Sequence, residues 1–94
     1  MARTPIHPGE ILGESLEEMD MSAAELARHL GVPPNRVSQI LVGKRNITAD
    51  TALRLARYFG TSAELWMNLQ KTYELDIARL EVGTEISKLP QRVE

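Results

Sequence analysis

Apolar residues recur along this chain at helical spacing, in five groups separated by glycine and proline. Leu12, Leu16 and Met19 form the first group, and Leu26, Ala27 and Leu30 the second. Val37, Ile40 and Leu41 form the third, and Ala52, Leu55, Ala56 and Phe59 the fourth. The fifth is longest: Trp66, Leu69, Tyr73, Ile77 and Leu80, at steps of three and four. Such steps place each group on one face of a helix. No stretch alternates with the period of two that a half-buried strand needs. The pattern predicts an all-α chain of five helices.

Local signals mark the helix ends. His7-Pro8-Gly9-Glu10 opens the first helix, with Pro8 at its first position and Glu10 in the first turn. Ser22 and Glu25 make a capping box, and Met21 can staple onto Leu26. Gly31 suits the left-handed residue after a helix end. Pro34 suits the first position of the third helix, which Gly43 ends. Thr48 caps the fourth helix and Gly60 closes it. Thr61 with Glu64 reads as another capping box, and Gly83 as the end of the fifth helix, giving a span of about 62–82.

Residues 22–43 therefore read as helix, glycine turn, helix, the layout of a helix-turn-helix. The apolar residues of its second helix turn inward, leaving Asn35, Arg36, Ser38 and Gln39 outward. Asn and Gln can pair bidentately with adenine, and Arg can pair with guanine or hold a phosphate. Lys44, Arg45, Asn46 and Thr48 follow as a basic, polar loop suited to the DNA backbone. An ordinary exposed helix also shows polar residues outward, so the pattern makes duplex DNA the leading partner without excluding plain surface.

Ninety-four residues suffice for one domain with a modest core, and a hydrophobic content of 43% is that of a globular chain. No cysteine is present, which excludes disulfides and thiolate metal sites and suits a reducing cytoplasm. No signal peptide and no apolar run near the ~18 residues of a membrane span is found. The net charge of −2 looks wrong for a DNA binder, but its distribution does not. Residues 1–20 hold one basic and five acidic side chains; residues 21–60 hold six basic (Arg28, Arg36, Lys44, Arg45, Arg54, Arg57) and two acidic. Positive charge thus coincides with the helix-turn-helix. So small a positive field calls for a dimer to reach useful affinity.

The fifth helix carries a second row, Met67, Lys71, Leu75 and Ala78, opposite the Trp66 stripe. A helix apolar on two sides usually touches two things. The row is either a contact with the same helix of a second subunit or a set of isolated surface apolars. A twofold dimer would set two recognition helices about 34 Å apart, one turn of DNA. The first helix presents Glu10, Glu14, Glu17, Glu18 and Asp20, either a solvated face or a match for a basic partner.

Nothing points to catalysis. His7 and His29 are the only histidines, and no His pair or glycine-rich phosphate loop accompanies them. No catalytic residue, metal site, cofactor, small-molecule ligand or large pocket is expected.

Several runs carry a resemblance: His7-Pro8-Gly9-Glu10-Ile11-Leu12, Leu26-Ala27, Leu30-Gly31-Val32, Val37-Ser38-Gln39-Ile40-Leu41, Gly43-Lys44-Arg45, Ile47 to Ala56, and Phe59 to Gln70. Together they resemble the HigA/VapI antidote branch of the Xre-type (lambda-repressor-like) helix-turn-helix proteins, over roughly residues 5 to 80. The resemblance implies a five-helix homodimer that is the antitoxin of a type II toxin–antitoxin pair. It implies binding of a HigB-type toxin, a small basic mRNA endonuclease of the RelE-like class, and repression of its own operon through palindromic operator DNA. A solitary Xre-type regulator without a toxin is the alternative. By position, Asn35 and Gln39 match base-reading places; Arg36, Ser38, Lys44 and Arg45 match phosphate or neighbouring-base contacts; the amide near Thr48 matches a phosphate contact. Val42 replaces an Asn common in relatives, and Pro34 a polar residue, which shifts weight toward DNA shape. The expected organisation is residues 1–83 as the DNA-binding and antitoxin domain, its fifth helix also serving dimerisation, and 84–94 as a C-terminal tail.

Overall fold

The computed structural model describes residues 3–93; Met1, Ala2 and Glu94, which fall in the expected domain and tail, lie outside the described residues. The chain forms five α-helices: α1 (Pro8–Glu18), α2 (Ala23–Leu30), α3 (Pro34–Leu41), α4 (Ala49–Phe59) and α5 (Ala63–Ser87). No strand occurs among the described residues. The all-α, five-helix expectation holds.

Each helix starts where a side chain can satisfy its free amides. Ser22 Oγ accepts from the Glu25 N–H at 3.1 Å while Glu25 reaches back to the Ser22 amide, which completes the capping box. Less expected is α1, whose cap is His7: its Nδ1 accepts from the Gly9 N–H at 2.9 Å and Glu10 returns the bond. That bond uses Nδ1 as an acceptor. The His7 ring is buried edge-on against Tyr73, centroids 4.9 Å apart.

The core joins Leu12 and Leu16 of α1, Leu26, Ala27 and Leu30 of α2, Val37 and Ile40 of α3, Ile47 of the following loop, Ala52 and Leu55 of α4, and Trp66 of α5. Helices α2 and α3 pack together, as do α4 and α5, and α1 bridges to α3 and α5. At Gly9 the backbones meet so closely that a Cβ would overlap the Ile40 carbonyl. This contact sets α1 directly on the recognition helix.

Four expectations are corrected. Met19 is not inward but 42% exposed. It caps α1, and Asp20 follows with φ 52°, a turn that rotates Met19 out and lets the half-buried Met21 cover the core. Ser62, not Thr61, caps α5, accepting from the Leu65 N–H at 3.1 Å. The Thr61 hydroxyl instead accepts from buried Trp66 Nε1 at 2.9 Å, which an indole donor requires. Gly83 does not end α5, which continues to Ser87 with Lys88 as its cap. A mid-helix glycine costs only about 1 kcal/mol, and the effective stop is Pro90, which bars helix at the residue before it. Finally, Leu80 does not face the core but is 59% exposed. Over 25 residues α5 runs about 37 Å, past the end of the body it packs on, so the described molecule measures 52 × 25 × 21 Å.

Candidate nucleic-acid interface

The candidate interface is assembled by α3, the loop after it and the start of α4. Gly31 ends α2 in the left-handed conformation (φ 70°), and Pro33 and Pro34 restart the chain as α3. Burial of Val37 and Ile40 then fixes the roll of α3, which leaves Asn35 and Ser38 exposed and Arg36 and Gln39 half-exposed at its rims. Lys44, Arg45 and Thr48 are exposed beside them. All seven residues proposed for DNA therefore lie on one continuous surface of α3, the loop and the first residue before α4. Val42 is exposed there too and adds an apolar side chain to the edge.

Several of these residues are paired before any ligand arrives. Arg45 Nε donates to Gln39 Oε1 at 2.9 Å, folding the loop back over the C-terminal turn of α3. The Lys44 and Arg45 amides both donate to the Gln39 carbonyl, at 2.8 and 3.2 Å. Ser38 Oγ donates to the Asn35 carbonyl at 3.4 Å. Arg36 Nη1 donates to Asp50 Oδ2 at 3.0 Å, and Arg54 Nε reaches the same oxygen at 2.9 Å. A second arm of Arg54 donates to the Leu30 carbonyl at 2.8 Å. Asp50 and Arg54 thus form a bracket on α4 that ties the end of α2 to the start of α3, holding the angle of the helix-turn-helix. The Arg54 hydrogen bond, with the charges of Arg54 and Arg36, holds the Asp50 carboxyl below its ordinary range.

Sequence reasoning missed this bracket. The i, i+4 spacing of Asp50 and Arg54 was legible, but their partners in α3 and α2 were 14 and 24 residues away. It also missed Gln70 and Asp76, polar yet buried on the inner face of α5. Asp76 is held by Arg79 at 3.1 Å and by Arg3 of the N-terminal segment at 3.3 Å.

The remaining named surfaces are separate. Met67, Lys71, Leu75 and Ala78 are all exposed along one side of α5. Glu10, Glu14, Glu17 and Glu18 are exposed on α1, though Glu10 is occupied in the His7 cap. Glu17 and Asp20 border an open groove of about 540 Å³, with Glu25 on its far wall and Leu16, Met21 and Leu41 on its floor. Glu17 of α1 and Asp20 of the turn after it are both exposed at this rim. No group of His, Asp or Glu fit to hold a metal occurs among the described residues, and none of the described helices is long and apolar enough to cross a membrane.

This geometry has close counterparts. The helix-turn-helix family pattern matches residues 12–66. Virulence-associated protein I of Dichelobacter nodosus is 54% identical over 74 residues, covering 78% of this chain and 68% of that protein. An addiction module antidote protein of the HigA family from Coxiella burnetii superposes with a TM-score of 0.93 at 53% identity, over 97% of this chain and 100% of that one. The Pseudomonas aeruginosa antitoxin HigA, solved with the higBA promoter, superposes with a TM-score of 0.90 at 48% identity, over 96% of this chain and 100% of that one. The chain belongs to the helix-turn-helix family and, within its Xre (lambda-repressor-like) members, to the HigA/VapI-type antitoxins.

Proposed function

We propose that this chain acts as a homodimeric antitoxin in the cytoplasm, repressing its own operon by binding palindromic operator DNA and capturing a HigB/RelE-like mRNA endonuclease. Members of its family are DNA-binding regulators, not enzymes. The observation that carries the reading is the continuous surface of Asn35, Arg36, Ser38, Gln39, Lys44, Arg45 and Thr48, braced by α4 against the rest of the domain. A relative at 48% identity and TM-score 0.90 was solved on promoter DNA with that part of the fold in common. In this reading Asn35 and Gln39 meet base edges, while Arg36, Ser38, Lys44, Arg45 and the Thr48 amide hold phosphates.

The dimer is assigned to Met67, Lys71, Leu75 and Ala78, because this exposed row is continuous with the part of α5 that projects from the body. The toxin is assigned to the exposed acidic side chains Glu10, Glu14, Glu17 and Glu18 of α1, of which Glu17 borders the groove with an apolar floor, because such a face would meet a basic protein.

The test is a gel shift on the DNA upstream of the gene, together with co-purification of the product of the adjacent gene. Specific retardation is expected, with Gln39→Ala weakening it by about 1–3 kcal/mol. Retardation without any co-purifying small basic protein would make the chain a solitary regulator. No retardation would remove the repressor role.

A further inference from the structure

The loop that presents Lys44, Arg45 and Asn46 has a tie at each end. Its start is bonded to α3 through the two amides that donate to the Gln39 carbonyl. Its end is bonded to α5: the Ile47 N–H donates to Gln70 Oε1 at 2.8 Å, across 23 residues of sequence. Gln70 is only 3% exposed, and its Nε2 donates to Glu74 Oε2 at 2.9 Å. Both halves of this buried amide are therefore used. Ile47 itself is buried in the core, so its N–H has no water to turn to. An apolar side chain at position 70 would bury as well; an amide both accepts from that donor and donates to the Glu74 carboxylate. The next residue along α5, Lys71, belongs to the outward row that carries the proposed subunit contact.

From this we infer that Gln70 is a positioning residue for DNA binding: by clamping the Ile47 amide to α5, it sets the height at which Lys44, Arg45 and Thr48 meet the phosphate backbone. The inference rests on the DNA-binding reading above. Gln70 touches no DNA; it acts through the loop, and it makes the placement of the loop depend on the same helix that carries the proposed dimer contact.

The test uses the full-length protein and two duplexes, one from upstream of its own gene and one of random sequence. Gln70→Met keeps the bulk and removes both hydrogen bonds. Its affinity for the upstream duplex is expected to fall about tenfold, and the slope of log K against log salt to become shallower by about 0.9, the share of one phosphate. Gln70→Glu combined with Glu74→Gln keeps an acceptor for the Ile47 N–H and an amide-to-carboxylate hydrogen bond between positions 70 and 74, and should restore the salt slope. Glu74→Ala, a change at an exposed position that leaves folding intact, should loosen Gln70 and weaken binding by about two- to fivefold. Amide hydrogen exchange gives a readout without DNA: Ile47 should exchange faster in Gln70→Met and in Glu74→Ala. Should Gln70→Met fail to fold, the Glu74→Ala result decides alone. Wild-type affinity and slope in folded variants, or unchanged exchange at Ile47, would overturn the inference. If the wild-type protein retards neither duplex while Ile47 exchange responds as expected, the clamp exists and it is the DNA-binding reading that fails.

Discussion

Two halves of this molecule treat apolar surface in opposite ways. Between α1 and α4 most apolar residues at helical spacing are used inside the protomer, with Met19, Val42 and Leu53 as exposed exceptions, and the exposed side of the recognition helix and its loop is left mainly to Asn35, Ser38, Lys44 and Arg45. Beyond Asp76, α5 has little left to pack on. Leu80, Val82 and Ile86 reach solvent there, as Leu75 does just before it at 46% exposed. The first half is a closed unit held by its own core. The second is a projecting rod in which Ile77 is half-buried and the later apolar side chains Leu80, Val82 and Ile86 lie exposed. A single helix of that kind draws little stability from propensity alone, since most helical stability in proteins comes from packing. The contrast teaches that one part of the chain folds for itself, while the other is shaped for something laid against it.

The largest effect should come from breaking the closed half. Leu26→Ala removes a side chain with no exposed area at all and should destabilise the domain by about 2–5 kcal/mol. Urea denaturation would measure it, and a loss below about 1 kcal/mol would mean that Leu26 is not part of one cooperative core. Next comes the projecting half. Leu75→Glu puts a charge into the proposed subunit contact and should leave the core intact while producing monomers. Affinity for a two-half-site duplex should drop about 100-fold, because the second half-site is no longer bound for free. Sedimentation velocity and gel shift would report both, and an unchanged dimer would move the subunit contact elsewhere. The smallest effect separates structure from binding on the bracket itself. Asp50→Asn should strengthen binding to random DNA by a few-fold, since one negative charge leaves the neighbourhood of Arg36 and Arg54. The sign with pH follows from the depressed Asp50 carboxyl, whose cause is first the Arg54 hydrogen bond. Its contribution to stability is whole above the unfolded carboxylate value of about 3.9 and is lost as pH falls through the lower folded value. Wild type and Asp50→Asn should thus show parallel stability from pH 5 to 8 and converge only in acid. A difference that grew toward neutral pH would contradict the pairing.

How much of this could be read from the amino acids follows the range of the interactions. Caps and turns act over three or four residues, so Ser22 with Glu25, Thr48, Gly31, Gly60 and Pro34 were all legible. The one-residue slip from Thr61 to Ser62 arose because two adjacent hydroxyls offered the same cap, and the choice between them was made by a tryptophan ring that had to bond its N–H. Gly83 misled because a glycine in sequence does not say whether its φ is needed. His7 was legible as a helix start but not as a cap, since the preference for Ser, Thr, Asp and Asn at such places hides an imidazole that does the same job. The candidate interface was legible in kind: the polar residues of α3 follow from its apolar ones.

By itself the sequence determined the number of helices, most of their starts, the inward and outward sides of the recognition helix and the place of the positive charge. These depend on short-range periodicity and on side chains bonding to their own turn. Tertiary structure alone decided that Arg36 and Arg54 share one carboxylate, that Gln70 holds the loop after α3, that Gly9 is where α1 meets the backbone of α3, and that α5 outruns the body it packs on. The first three depend on a contact between residues 14 or more apart in the chain, and no local pattern of spacing encodes which distant partner a buried amide, a guanidinium or a bare Cα will meet.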